Sequence, residues 1–278
     1  MKPNKNINIR AIQLCILEMM VDIDKLCRQY DIPYFLDGGS ALGAKRHQGF
    51  IPWDDDFDIG MMRQDYERFI KVLDQHLDTK KYLYQNFQKD VRYNVLIPAM
   101  KIRRRGTYIL ETNTHLPNRC DNEGEDSNGL FIDVFVYDYM SGQLAGDLPR
   151  RLLNMALMPL LIGSDYYLHH NPLLLKKWFL HNAKKYGQKH QGSEYVGYDL
   201  TWTFKNPFHP YRYRYKDIFP LQEMLFEGHS FYVAGNIQRF LDTAIGGKWW
   251  EFPPQKDQIA KHTKEVRLPG DQEAKPKE

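Results

Sequence analysis

Residues 34–62, YFLDGGSALGAKRHQGFIPWDDDFDIGMM, constrain the fold of this chain more than any other stretch. An apolar run leads into Gly38, Gly39 and Ser40, a basic segment follows, and Asp54 to Asp58 then hold four acids in five residues. Asp56 and Asp58 alternate with Phe57 and Ile59. Alternation of this kind is a strand pattern, in which residues two apart point the same way. Both carboxylates are therefore expected on one face, with Phe57 and Ile59 packed behind them. Neighbouring carboxylates repel unless a cation lies between them. A hard dication such as Mg2+ suits a few carboxylates combined with substrate phosphates. The glycines precede a short predicted helix, Ala41 to His47. At a strand-to-helix turn they let backbone N–H groups approach a phosphate, whose charge the helix N-terminus favours. An acidic run can also be a solvated loop, but the flanking Phe50, Ile51 and Trp53 and the apolar continuation favour a metal–phosphate site.

The run GGSALGAKRHQGFIPWDDDFDIGMMRQDYERF resembles the signature of the LicD family, phosphocholine transferases of bacterial surface glycans. That family is similar in fold to the polymerase-β-type nucleotidyltransferases. Its pattern is Gly-Ser, a spacer, Asp-apolar-Asp on one strand, and a third acid on a neighbouring strand. Gly39-Ser40 and Asp56-Phe57-Asp58 match the first two parts, and Asp133 in GLFIDVFVYD best matches the third. IFPLQEMLFEG and KWWEFPP resemble later segments of the family. Val233-Ala234-Gly235 and Ile245-Gly246-Gly247 stand where the family tends to carry a Pro-rich turn and a Tyr-Gly-Asp.

The resemblance implies a Mg2+ (or Mn2+) ion held by Asp56, Asp58 and Asp133, the three catalytic candidates. Asp133 would complete the metal site or take the acceptor proton. Gly38, Gly39 and Ser40 would seat a donor phosphate. Arg46 and His47 would meet a phosphate too, or form an exposed basic helix end. Asp54, Asp55, Trp53 and Glu227 are accessory candidates; one of the two acids is allowed to be structural, and a turn acid is the alternative for Glu227. The implied donor is CDP-choline, releasing CMP, and the acceptor is a sugar hydroxyl of a cell-surface glycan or its lipid-linked precursor. Trp53, Trp202 or Trp249 would offer a cation–π face to choline. The alternatives are transfer of a polyol phosphate or a nucleotide, and a catalytically inactive nucleotide-binding subunit.

Composition narrows the partners. A net charge of +3 over 278 residues does not by itself imply a nucleic-acid partner. Cys15, Cys27 and Cys120 form no CxxC or zinc spacing and suit a reducing cytoplasm. The opening MKPNKNINIR lacks a signal-peptide pattern. The apolar stretch from Leu152 to Gly163 is too short to span a bilayer and reads as a buried helix or one lying on a membrane surface. A cytoplasmic protein is expected, with peripheral contact at the inner face of the membrane left open.

Along the chain, helical spacing runs from Ile9 to Tyr30 and again through Tyr66, Phe69, Ile70, Leu73 and Leu77. Strands are expected at Tyr34 to Leu36, Tyr82 to Phe87, Val95 to Arg103, Thr107 to Glu111 and from Gly129 onward. Lys101, Arg103 and Arg105 fall on one side of their strand, either facing a pyrophosphate or solvated. The polar loop Asn113 to Asn128 does not fit an EF-hand and is expected near the site entrance. Helices dominate after residue 142, at Leu148 to Leu161 and Leu173 to Tyr186. His169, His170, His181 and His190 share no helical ligand spacing and are expected on the surface. YRYRYK (211–216) alternates aromatic and basic residues; sheet packing ranks ahead of substrate contact and nucleic-acid stacking. Glu227-Gly228 is the expected turn of a hairpin from Met224 to Val233, and Asn236 to Ile245 is expected to be helical. The fold class is thus α/β (α+β), a nucleotidyltransferase-like mixed sheet flanked by helices. The divisions are 1–141 for the catalytic core, 142–264 for a mainly helical second half completing the site, and 265–278 for a disordered tail.

Overall fold

The computed structural model describes residues 8–95, 98–111, 128–198, 210–260 and 262–270. Helix α1, Ile9–Gln29, starts where the Asn8 side chain accepts the Ala11 N–H at 3.1 Å. Its apolar stripe, including Ile12, Ile16, Met19 and Ile23, is buried. A short turn brings the chain into strand β1, Phe35–Leu36, and then directly into helix α2, Gly38–His47. The Gly-Gly-Ser segment is therefore not a turn ahead of the helix. It is the first helical turn, capped by the Asp37 side chain.

Strand β2, Asp58–Met62, runs into helix α3, Arg63–His76. Strands β3, Tyr82–Asn86, β4, Met100–Arg104, β5, Tyr108–Glu111, and β6, Phe131–Met140, follow. The central sheet has the order β1-β2-β6-β4-β3, and β2 and β6 are parallel. Strand β6 is the spine. Its first half pairs with β2 and β4, and its second half pairs with β7, Tyr195–Tyr198. Phe131, Ile132, Val134, Val136 and Tyr137 are all buried, as a strand covered on both faces requires.

Helices α4, Leu144–Ile162, and α5, Leu173–Lys189, are joined through a π-helical turn, Gly163–Tyr167. Strands also contribute to the mainly helical second half. Besides β7 there are β8, Tyr213–Arg214, and the hairpin β9, Gln222–Phe226, with β10, His229–Val233. Helices α6, Tyr215–Ile218, and α7, Ile237–Ala244, complete it. Because β7 hydrogen-bonds β6, one sheet crosses the boundary expected near residue 142.

YRYRYK is extended only at Tyr213-Arg214, and Tyr215 already begins α6. Tyr213 is buried against Tyr137 and stacks on Phe240, which is the packing role. The strand expected from Val95 starts only at Met100. The tail expected from Glu265 does not begin there, because Thr263–Arg267 form strand β11, antiparallel to β5. The loop expected from Asn113 to Asn128 lies, but for Asn128, outside the described residues, as do residues 271–278.

Candidate active site

The site forms where β2 and β6 enter the sheet beside the first turn of α2. In register, Asp58 on β2 faces Asp133 on β6, and the Asp133 N–H donates to the Phe57 carbonyl at 2.8 Å. Asp56 sits just ahead of β2 rather than within it. Phe57 and Ile59 are buried in the core, as the alternation demanded. The sheet thus brings together acids separated by more than half of the first half of the chain, and α2 closes on them. A Cβ on Gly38 would lie 2.8 Å from Asp58 Oδ2, and one on Gly39 would lie 2.7 Å from Asp54 Oδ2. Gly38 also has a φ of +47°. The positive φ favours glycine at position 38, and at both positions an added Cβ would crowd the end of a carboxylate side chain. The Ser40 hydroxyl oxygen accepts the Asp58 N–H at 2.9 Å and so fixes the start of β2.

The electrostatics follow from burial. Burial, then the charges of Asp56, Asp133, Asp37 and Asp54, push Asp58 well above the usual carboxylate range. Burial raises Asp133 to about 6, opposed by Lys101 and reinforced by Glu111 and Asp56. Asp56 is raised by burial while His262 pulls it down. Lys101 Nζ lies 3.2 Å from Asp133 and 3.4 Å from Glu111, and His262 Nε2 lies 3.2 Å from Asp56. The result is a pocket of excess negative charge with too few cations.

These hard oxygen donors suit Mg2+ or Mn2+. Among the described residues, however, no three His, Cys, Asp or Glu side chains are grouped to hold a metal ion. The expected three-ligand set of Asp56, Asp58 and Asp133 is thus not preassembled. A Mg2+ site made of one or two carboxylates plus substrate phosphates needs no such group, and the donor chemistry of Asp56 and Asp58 fits that case.

The remaining candidates divide. Lys101 points at the acids. Arg103 is fully buried, donating to Gln85 at 2.7 Å and to the Gly129 carbonyl at 2.8 Å, and it pairs at 3.5 Å with Glu111, the acid that Lys101 also meets. Asp55 accepts the Thr263 N–H at 2.7 Å and the His262 N–H, which anchors β11; it is the structural member of the acid run. Glu227, an accessory candidate, lies in the turn of the β9–β10 hairpin. It forms a fork with Arg10 at 2.6 and 2.9 Å and accepts the Phe50 N–H. Its φ of +50°, followed by Gly228 at +80°, is the turn of the hairpin.

Arg46 and His47 border a cavity of about 810 Å³ or the segment that forms its wall. The cavity is lined by Arg46, Trp53, Asp54, Trp249, Glu251 and Phe252, among others. Arg46 Nη1 donates to the carbonyls of Trp249 and Glu251, and its guanidinium covers Phe252 at 4.7 Å. His47 meets Phe252 edge-on. Trp202 lies outside the described residues.

Sequence reasoning missed Asp37, Glu111 and His262. Asp37 is fully buried, capping α2 through Gly38 N–H at 2.7 Å and accepting the hydroxyls of Tyr137 and Tyr198, each at 2.8 Å. A lone Asp ahead of a helix is an N-cap signal, which was available. Nothing in the sequence links His262 to Asp56.

Comparisons with known proteins converge on this region. Residues 31–147 match the model of the LicD/FKTN/FKRP nucleotidyltransferase domain. The chain is 35% identical over 134 residues to the lipopolysaccharide cholinephosphotransferase LicD of Haemophilus influenzae, covering 48% of this chain and 46% of that protein. It is 53% identical over 34 residues to the ribitol 5-phosphate transferase FKRP of Homo sapiens, covering 12% of this chain and 7% of that protein. An uncharacterised protein of Rickettsia typhi is 44% identical over 62 residues, 22% of this chain and 20% of that protein. The chain therefore spans less than half the length of these relatives.

Proposed function

We propose, from the match of residues 31–147 to the LicD/FKTN/FKRP nucleotidyltransferase domain, that the chain transfers a substituted phosphate from a nucleotide-linked donor to a glycan hydroxyl. Phosphocholine from CDP-choline is the proposed group, and a cell-surface glycan or its lipid-linked precursor is the proposed acceptor. The observation that carries the reading is the buried pairing of Asp58 with Asp133 beside the glycine-built start of α2.

Asp56 and Asp58 are the residues that would hold Mg2+ or Mn2+ together with the donor phosphates. The bound ion would offset the charge on the transferring phosphoryl and leaving group. At the N-terminus of α2 Asp37 takes the Gly38 N–H, and the following N–H groups of the first turn would favour a phosphate. Lys101 keeps its ammonium at the same acids and balances charge as the donor enters. Asp133 completes the ligand set or accepts the proton of the acceptor hydroxyl, which is general-base work. The cavity beside Asp54 supplies aromatic faces from Trp53, Trp249 and Phe252 and a carboxylate from Glu251, a lining that suits a quaternary ammonium.

The test is Mg2+-dependent release of CMP from CDP-choline in the presence of an acceptor glycan. Tight CDP-choline binding without release would instead indicate a nucleotide-binding subunit. A polyol phosphate is the second reading, favoured by the match to the ribitol 5-phosphate transferase. Faster CMP release from CDP-ribitol than from CDP-choline would select it. The Asp133 alternatives separate kinetically. In Asp133→Asn, a raised Mg2+ requirement marks a ligand, and a lowered kcat at an unchanged requirement marks the base.

A further inference from the structure

We infer that the α4–α5 hairpin docks the protein on an anionic lipid bilayer. Helix α4 is amphipathic in the inverted sense. Its inward stripe carries Asp147, Arg151 and Asn154, with Met158 and Leu161 further along. Asp147 accepts the Tyr186 hydroxyl, and Arg150 Nη2 donates to the Asn182 carbonyl at 2.5 Å, so polar groups hold this helix against α5. Its outward stripe is Leu152, Leu153, Met155 and Leu160, with Leu160 63% exposed. Water-facing helices normally show the opposite arrangement.

The apolar surface continues along the chain. The π-helical turn leads to Leu168, 74% exposed, and α5 begins with Leu174, 83% exposed. Leu174, Lys177, Trp178 and Lys185 recur at helical spacing, so one face of α5 carries both apolar and cationic groups. Residues 148–192 hold seven Lys and Arg and one acid, a net +6 in a chain whose total is +3. The single acid, Asp165, is paired with the buried Lys176 at 2.9 Å, and Lys184 meets Glu67 at 2.8 Å. Lys177, Lys185 and Lys189 remain exposed beside the leucines.

That mixture selects the occupant. Protein–protein interface cores are depleted in lysine. Leucine and tryptophan flanked by lysine suit the headgroup boundary of a bilayer, where basic residues add attraction to anionic lipid. No helix among the described residues is long and apolar enough to cross a membrane, so the contact is interfacial. This inference does not rest on the transferase reading.

The experiment is co-flotation of the full chain with vesicles of phosphatidylcholine alone or mixed with phosphatidylglycerol, at low and high salt. Binding to the mixed vesicles at low salt is expected, with loss at high salt. The pair Lys177→Gln and Lys185→Gln is expected to weaken partitioning by about fivefold per lysine. The pair Leu160→Glu and Leu168→Glu is expected to abolish it. Both pairs change exposed side chains, and an unchanged thermal midpoint verifies the fold. Failure to float with the mixed vesicles at low salt overturns the proposal. Flotation insensitive to both variant pairs also overturns it. So does a dimer in sedimentation equilibrium that the leucine variants dissociate, because the face would then belong to a second copy of the chain.

Discussion

The two ends of strand β6 treat a buried carboxylate in opposite ways. Near its C-terminal end, Asp138 meets the fork of Arg63, with both bonds at 2.6 Å. Near its start, Asp133 meets a single ammonium at 3.2 Å that it shares with Glu111, and it faces Asp58 in register. Burial pushes both acids above the usual range, so a shifted carboxylate does not by itself mark a site. The difference lies in compensation. A bidentate arginine satisfies one carboxylate completely. A cluster of like charges with too few cations leaves a deficit that a metal ion and a phosphorylated ligand complete.

The largest effect should come from the uncompensated end. Asp58→Asn preserves volume and removes one charge from the cluster. Turnover is expected to fall at least about a thousandfold, about 4 kcal/mol in barrier, measured as CMP release. Because burial and like charges push Asp58 up, the same variant should be as stable as the parent or more so in metal-free buffer. Near-normal turnover would break the comparison by removing Asp58 from the chemistry. At the compensated end the signs reverse. Asp138→Asn leaves the largely buried Arg63 without its counter-charge, which is expected to destabilise the fold by about 3 kcal/mol. Denaturant unfolding measures this. The kcat of the protein that remains folded should change little.

Much of this was legible because local pattern and tertiary role agreed. The stripe from Ile9 fixes α1, and Glu227-Gly228 fixes the hairpin, since both residues adopt positive φ there. The apolar setting of Asp133 argued that it needed a partner, and it does neighbour Asp58. What was not legible depends on distant pairing. A polar C-terminal stretch with Pro and Gly reads as a tail, yet β11 forms because β5 and the Asp55 carboxylate receive it. Glu227 read as an accessory site residue or a turn acid, and its pairing with Arg10, far away in sequence, could not be read from either. The apolar stretch from Leu152 to Gly163 read as a buried helix or one lying on a membrane surface, and the choice depends on α4 turning its polar stripe inward. Periodicity identifies a face and says nothing about which side of it the protein occupies.

A third buried acid sharpens the comparison, because it is compensated by neutral groups. Asp37 accepts the Tyr137 and Tyr198 hydroxyls and the Gly38 N–H, with no cation in hydrogen-bond contact. Burial raises it to about 6, while these three hydrogen bonds pull it down. The folded pKa therefore exceeds the unfolded value of about 3.9. The native state holds the proton more tightly, so this contribution to stability is complete below the unfolded pKa. It is lost as pH rises through the window from about 4 to about 6. Two units correspond to roughly 3 kcal/mol at most. Asp37→Asn keeps a good N-cap and cannot titrate. Its amide still accepts the Gly38 N–H, and its NH2 can donate to the tyrosine oxygens after their hydroxyls rotate. Depressed acids such as Glu111 act in the opposite direction, so the informative quantity is the difference between the two proteins. Relative to the parent, Asp37→Asn should gain stability as pH rises from 4 to 7, measured by urea unfolding at fixed ionic strength. A pH-independent difference would mean that hydrogen bonds from neutral donors hold Asp37 as completely as the arginine fork holds Asp138. Compensation by neutral groups would then be as effective as compensation by charge in this core.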